Sequence, residues 1–238
     1  MHEMNCEIKG SAAVAWIKGN KHKFYEDRYR MLPKEVPLVG RQDRGEIFAV
    51  FDGIGGAPEG RSAAQEMCDW LLKFYQEPKN YLASFDGIHQ LLMKANLAIN
   101  NWGFMEGTDR PLGGCAGTVV WIYGDTCFTF HAGDTVALLI RDGEASQLTR
   151  LHEMDGAIYR YFGLGENLEI DIDQFPIEEF DRILILSDGV TKAFHPIEAA
   201  DIVEEYDDIC RAAKELARLS QTRGSADDIT VLLLEIEE

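Results

Sequence analysis

The sequence predicts an α+β protein in which antiparallel β-sheet is covered by pairs of helices. Short β-rich runs end in turns built from Gly and Asp, and longer amphipathic stretches with helical spacing stand apart from them. The two kinds of segment do not follow the strict βαβ alternation that a parallel sheet would require.

Along the chain, residues 11–17 (SAAVAWI) read as a first strand and 46–52 (EIFAVFD) as another. The polar segment between them, rich in Lys, Arg and Asp, is long enough to carry function. Apolar residues at Ala63, Met67, Leu71 and Tyr75, flanked by Ala64, Cys68 and Leu72, give a helix over 58–75 with Pro58 near its first turn. Phe85, Ile88, Leu92, Ala95 and Ile99 carry a second helix over 82–102. From 116 to 148 the pattern becomes short strands punctuated by YGD, AGD and RDGE, the signature of a β meander. Residues 182–186 (RILIL) form a further strand ending at SDG, 197–205 and 207–219 read as helices, and 229–236 (ITVLLLEI) is the last strand. There is no internal repeat and no low-complexity segment.

Composition narrows the function. The chain has 238 residues, 46% hydrophobic and 27% charged, which suits one domain spanning 1–238. Forty-one acidic against 23 basic side chains give a net charge of -18, so a nucleic-acid partner is repelled over most of the surface. The five cysteines (Cys6, Cys68, Cys115, Cys127, Cys210) are widely spaced and form no zinc-type motif, as expected of reduced thiols. The first residues lack a basic start followed by a long apolar run, and no stretch approaches a membrane span. The expectation is a cytoplasmic protein without a membrane partner.

The stretch AVFDGIGGAPEGRS, 49–62, runs from a strand through a glycine-rich loop into a helix, and three chemistries compete for it. A dinucleotide fingerprint finds Gly53 and Gly55 but meets Pro58 where its third glycine belongs. A phosphate-binding loop is a closer match, since Gly55 to Ser62 reads GGAPEGRS with Arg61 in place of lysine. Yet such a loop aims backbone N–H groups at the phosphate. Pro58 has none, and Glu59 places a negative charge beside the anion. The third reading makes Asp52 a metal ligand at the rigid end of a buried strand. A bland alternative is that Asp52 only caps a turn.

Asp52 does not stand alone. Glu26 and Asp27 (YED), Asp134 (HAGDT), Asp188 (LSDG), and Asp227 and Asp228 (ADDITV) lie at other strand ends and turns. In this order and context, over nearly the whole chain, they resemble the metal-dependent serine/threonine protein phosphatases of the PPM or PP2C type. The motifs that carry the resemblance are Glu26-Asp27, DGIGG from Asp52, Gly117-Thr118, GDT at Gly133 to Thr135 with RDGEASQLT from Arg141, SDG at Ser187 to Gly189, and DDITV from Asp227.

The resemblance implies a four-layer α-β-β-α sandwich, two antiparallel sheets packed face to face and flanked by helices. It also implies hydrolysis of phosphoserine or phosphothreonine monoesters in a phosphoprotein by metal-activated water, without a protein nucleophile. Two Mn²⁺ or Mg²⁺ ions are expected, since all-oxygen ligands select hard cations. By the same resemblance, Asp52, Asp188 and Asp227 would be the catalytic metal ligands and the Gly53 carbonyl a further one, Glu26 and Asp27 would act through bound waters, and Asp134 would be the candidate ligand of a third ion. The family flap, variable and beside the cleft, is expected within 155–180.

Several positions depart from the family pattern. His22 stands where an arginine normally grips the substrate phosphate, leaving His22, Lys21 and Lys23 as candidates for that task. Lys192 replaces an aspartate that helps hold a third ion, and a cation there disfavours it. Ile54 stands where a histidine is common in animal members, His152 is a lone histidine in the right region, and Asp228 replaces the usual Asn. These departures keep open an alternative: a catalytically weak or silent phosphatase-like binding module in signalling.

Overall fold

A computed structural model describes residues 3–237. Two antiparallel sheets form its centre. The first contains β1 (Met4–Lys9), β2 (Ala12–Ile17), β7 (Val136–Arg141), β8 (Glu144–Gln147), β12 (Arg182–Leu186) and β13 (Ile229–Glu235), in the order β1-β2-β13-β12-β7-β8. The second contains β3 (Arg28–Leu32), β4 (Glu46–Gly53), β5 (Cys115–Tyr123), β6 (Thr126–Ala132) and β11 (Asp171–Pro176), in the order β11-β6-β5-β4-β3. A two-stranded hairpin, β9 (Glu153–Met154) with β10 (Ala157–Ile158), stands apart from both.

The helices are α1 (Pro37–Gly40), α2 (Gly60–Gln76), α3 (Phe85–Asn100), α4 (Asp188–Thr191), α5 (Pro196–Glu204) and α6 (Ile209–Thr222). The period-2 alternation of the strands assigns each face to a different layer. In β4, Ile47, Ala49 and Phe51 pack outward against Ala63, Met67 and Leu71 of α2 and Leu92 of α3. Phe48 and Val50 face the other way, into an apolar layer shared with Val14, Ile185 and Leu232 of the opposite sheet. On the far side, Leu184, Leu186, Val231 and Leu233 meet Val203 of α5 and Ala213 and Leu216 of α6. Three apolar layers thus separate four layers of structure, the α-β-β-α sandwich expected from the sequence.

Most predicted elements recur with small shifts of end point, while the strands β1, β3, β9, β10 and β11 and the short helices α1 and α4 were not anticipated. β1 (MNCEIK) and β11 (DIDQFP) are edge strands with polar or exposed residues on at least one face, and β3 (RYRML) closes the other edge of its sheet. β11 lies within 155–180, the segment expected to hold the flap, and pairs along β6 from Asp171↔His131 to Pro176↔Thr126. All five cysteines are free. Among the described residues no helix is long and apolar enough to cross a membrane.

Candidate functional site

Antiparallel pairing brings the C-terminal ends of β2, β4, β6 and β12 and the N-terminal ends of β3, β5, β7 and β13 to the same end of the sandwich. That end holds an open cleft of about 730 Å³, lined among others by Glu26, Asp52, Asp134, Asp188, Asp227 and Asp228 and by Lys21, His22, Arg110 and Lys192. Residues more than 200 positions apart in sequence share it because the strands and the loops between them meet at that end.

Each acid is held by its own local structure. Asp52 continues the Phe48–Val50 face of β4, opposite Ala116 of β5, so its carboxylate opens between the sheets at the cleft floor. Asp188 opens α4, directly after β12, where Ser187 is tied to β13: the Thr230 N–H donates to Ser187 Oγ at 2.9 Å and the Ser187 N–H to the Thr230 carbonyl at 3.1 Å. Gly189 lies so close to the Asp228 carbonyl oxygen that a Cβ there would collide with it, which keeps α4 against the Asp227–Asp228 turn. Gly133 turns with φ 119°, a conformation that favours glycine, and puts Asp134 at the cleft wall.

The loop carrying the candidate phosphate-binding residues is stitched to the turn before β13. Asn20 and Lys21 donate their N–H groups to the Ala226 carbonyl at 2.8 and 2.9 Å. The two carboxylate oxygens of Asp228 accept the N–H groups of Gly19 at 2.8 Å and Glu26 at 2.6 Å. This places His22 Nδ1 3.5 Å from Glu26 and His22 Nε2 3.8 Å from Asp227, with Lys21 Nζ 2.7 Å from Asp227 Oδ2. Lys23 is not among the lining residues, and its ammonium lies 5.2 Å from the Phe24 ring centroid.

Asp27 is buried below the cleft. Its Oδ2 accepts the Thr230 hydroxyl at 2.5 Å, and Tyr25 in turn donates to Thr230 at 2.5 Å. Among the described residues, Asp27 Oδ1 and Asp188 Oδ1 are buried oxygens without a close hydrogen-bond partner.

The electrostatics follow from crowding acids in a poorly solvated cleft. Burial, and then the charges of Asp27, Asp188, Asp134 and Asp227, hold the Asp52 carboxyl well above its ordinary range. Burial pushes Asp27 up to about 8 against the opposing Thr230 hydrogen bond, with Asp228 adding to the rise. Burial and Asp188 push Asp134 up to about 7. Asp188 is raised by burial and by Asp227. Asp227 goes the other way: burial opposes its charge, but hydrogen bonds from Lys192 and Lys21 outweigh that and hold it low.

These two ammoniums were not foreseen as ligands of the acidic cluster. Lys192 Nζ makes a very short contact with Asp188 Oδ2 and lies 2.7 Å from Asp227 Oδ2. Among the described residues no three His, Cys, Asp or Glu groups close into a preformed metal seat. The donor chemistry nevertheless fits hard cations: the acids are all-oxygen, two buried oxygens lack partners, and the cluster already binds positive charge.

Behind Asp134 lies a polar network that sequence reasoning missed. His131 Nδ1 is 2.9 Å from the Thr118 hydroxyl, which is 2.7 Å from the Thr135 hydroxyl, and His131 Nε2 reaches the Arg150 carbonyl at 2.9 Å. His152 is buried beside it, accepting the Gly133 N–H on Nδ1 at 3.2 Å and meeting Asp171 through Nε2 at 3.0 Å. Its polar atoms hold the turn that carries Asp134. The GT and GDT motifs were the available signal.

Residues 37–227 match the family model described as protein phosphatase 2C, and the chain belongs to that family. Probable protein phosphatase 2C 20 of Arabidopsis thaliana is 26% identical over 255 residues, covering 92% of this chain and 83% of the relative. The serine/threonine phosphatase stp of Listeria welshimeri is 24% identical over 217 residues, covering 82% and 86%. The solved catalytic domain of the serine/threonine protein phosphatase PstP, in complex with two manganese ions, has a TM-score of 0.79 at 20% identity, covering 99% of this chain and 100% of that one. At that identity the structural likeness is one of fold.

Proposed function

We propose that this chain, acting as one domain, hydrolyses phosphoserine and phosphothreonine monoesters in proteins at a centre of two Mn²⁺ or Mg²⁺ ions. The observation that carries the reading is the convergence of Asp52, Asp134, Asp188 and Asp227, from four separate segments, on one cleft where Lys21 and Lys192 offset the charge of Asp188 and Asp227 while Asp52 and Asp134 have no such ammonium contact among the described residues. Asp52, the Gly53 carbonyl, Asp188 and Asp227 would hold the ions, with Glu26 and Asp27 acting through water and Asp134 as the candidate for a third. Bound there, such ions supply an acidified water and positive charge for the phosphoryl oxygens and the leaving group.

The protein's own residues orient the substrate. His22 and Lys21 stand at the cleft beside Gly55, where the His22 ring leaves no room for a Cβ, and they line the side of the cleft from which a phosphate could be gripped. Arg110, in the segment between α3 and β5, also lines the cleft and adds a guanidinium suited to bidentate phosphate contact. The net charge of -18 makes such local cations necessary for an anionic substrate to approach.

Turnover of p-nitrophenyl phosphate and a phosphothreonine peptide with Mn²⁺ tests the reading, with a chelator and Asp52→Asn as controls. Activity that needs the metal and is lost in the variant supports it. The occupation of Asp188 and Asp227 by lysines favours a second reading, a silent binding module. Full metal binding without turnover of either substrate would establish that reading instead.

A further inference from the structure

Lys192 caps the C-terminus of α4, one turn beyond Asp188, and its backbone N–H bonds the Asp188 carbonyl at 2.8 Å. Its side chain reaches back over that turn, so its ammonium bridges Asp188 Oδ2 and Asp227 Oδ2, at 2.7 Å from the latter. These are carboxylates from two different segments, and Lys192 is the residue that ties them together. A second ammonium, Lys21 Nζ, also lies 2.7 Å from Asp227 Oδ2. The other groups facing this point are His22, 3.8 Å from Asp227 Oδ1, and Asp134, which feels the Lys192 charge.

The Lys192 side chain is 49% exposed, and that number decides its character: its outer half is in solvent and can swing away while the helix stays in place. Asp188 Oδ1, by contrast, is buried without a partner. The seat is therefore only half satisfied by a monovalent charge, with one unused oxygen pointing inward and a removable cation on the outside.

We propose that Lys192 is a tethered, displaceable cation that neutralises the Asp188–Asp227 seat until a divalent ion enters, so that this seat fills after the Asp52 side and more weakly. The inference rests on the metal-dependent reading above and adds the order and strength of ion loading. A divalent ion must displace the Lys192 contact at both carboxylates, while Lys21 remains a second contact at Asp227, and each exposed ion pair is worth a small factor in affinity. Removing the ammonium should then tighten the weaker class of sites roughly three- to tenfold and leave the stronger class unchanged.

The test titrates Mn²⁺ into the full chain and into Lys192→Met and Lys192→Gln at one fixed pH, reading free Mn²⁺ by electron paramagnetic resonance. In parallel, lysines carrying ¹³C-methyl groups are followed by NMR during titration with diamagnetic Mg²⁺, the Lys192 signal being the one missing from the Met variant. Two classes of sites are expected, the weaker tightening in both variants, with the Lys192 signal moving only as the weaker class fills. Superimposable isotherms and an unmoved Lys192 signal, while ions bind every protein, would overturn the inference and leave the metal-dependent reading standing. Absence of ion binding in all three proteins would overturn both.

Discussion

The carboxylate of Asp228 holds the backbone N–H of Glu26 at 2.6 Å, joining the turn before β13 to the segment that carries Lys21, His22 and Asp27. Its other oxygen takes the Gly19 N–H at 2.8 Å, so both oxygens act as acceptors and the side chain is almost fully buried. This explains why an aspartate suits a position where the family commonly has asparagine: an amide would turn its NH₂ toward one of the two N–H donors. Asp228→Asn is expected to cost roughly 1–3 kcal/mol, the penalty of an unsatisfied buried donor. Urea unfolding measures it, and phosphatase turnover should fall more steeply than stability as the loop of residues 19–26 loosens. A variant with wild-type stability and turnover would show that the loop is held elsewhere.

Gly189 offers a second test of how the site is assembled. A Cβ there meets the Asp228 carbonyl oxygen and also approaches Ile229 Cγ1 to 3.3 Å, so Gly189→Ala must push α4 away from β13. Overpacking of this kind costs roughly 1–3 kcal/mol. Because Asp188 and Lys192 ride on the same turn, Mn²⁺ affinity should weaken along with stability. Lost stability with unchanged Mn²⁺ affinity would mean that the ions do not depend on where α4 sits.

How much of this was legible in the sequence depends on where each residue gets its instructions. β2, β4, β12 and β13 were readable because one or both faces are buried and the apolar pattern records it. β1 and β11 were not, since edge strands such as MNCEIK and DIDQFP owe their structure to a neighbour's hydrogen bonds and carry little pattern of their own. Asp52, Asp188 and Asp227 stood out by sitting at strand ends in turn motifs. The contacts of Lys192 and Lys21 with Asp227 span 35 and 206 positions and leave no periodic trace. The Thr118–His131–Thr135 network was hidden for the same reason, although its motifs had been noticed.

His131 gives the stability a pH dependence of known sign. Burial, then the neighbouring His152, lowers its pKa from 6.5 to about 4, so the folded chain keeps it neutral where the unfolded chain takes up a proton. Its contribution is complete above pH 6.5, declines as pH falls toward about 4, and is flat below. At pH 5 the loss is roughly 2 kcal/mol. Urea midpoints of wild type and His131→Gln at pH 7.5 and 5.0 separate this from the cleft carboxyls, which both proteins share. The wild type should lose more stability than the variant, and equal losses would place the acid sensitivity elsewhere.

The cleft carboxyls work in the opposite direction. With Asp27 raised to about 8 and Asp134 to about 7, and Asp52 and Asp188 also raised, the ion-free folded chain holds protons that the unfolded chain has released above about pH 4. In a chelator, their contribution to stability should therefore shrink as pH rises from about 4 to 8. Divalent cations need deprotonated carboxylates, so adding Mg²⁺ at pH 7 should expel on the order of one proton per chain. Calorimetry in buffers of different ionisation enthalpy counts those protons, and thermal melts with Mg²⁺ against chelator should diverge further as pH rises through the same window. Ion binding without proton release would mean that the acids are already ionised before the metal arrives, with Lys21 and Lys192 alone supplying the compensating charge.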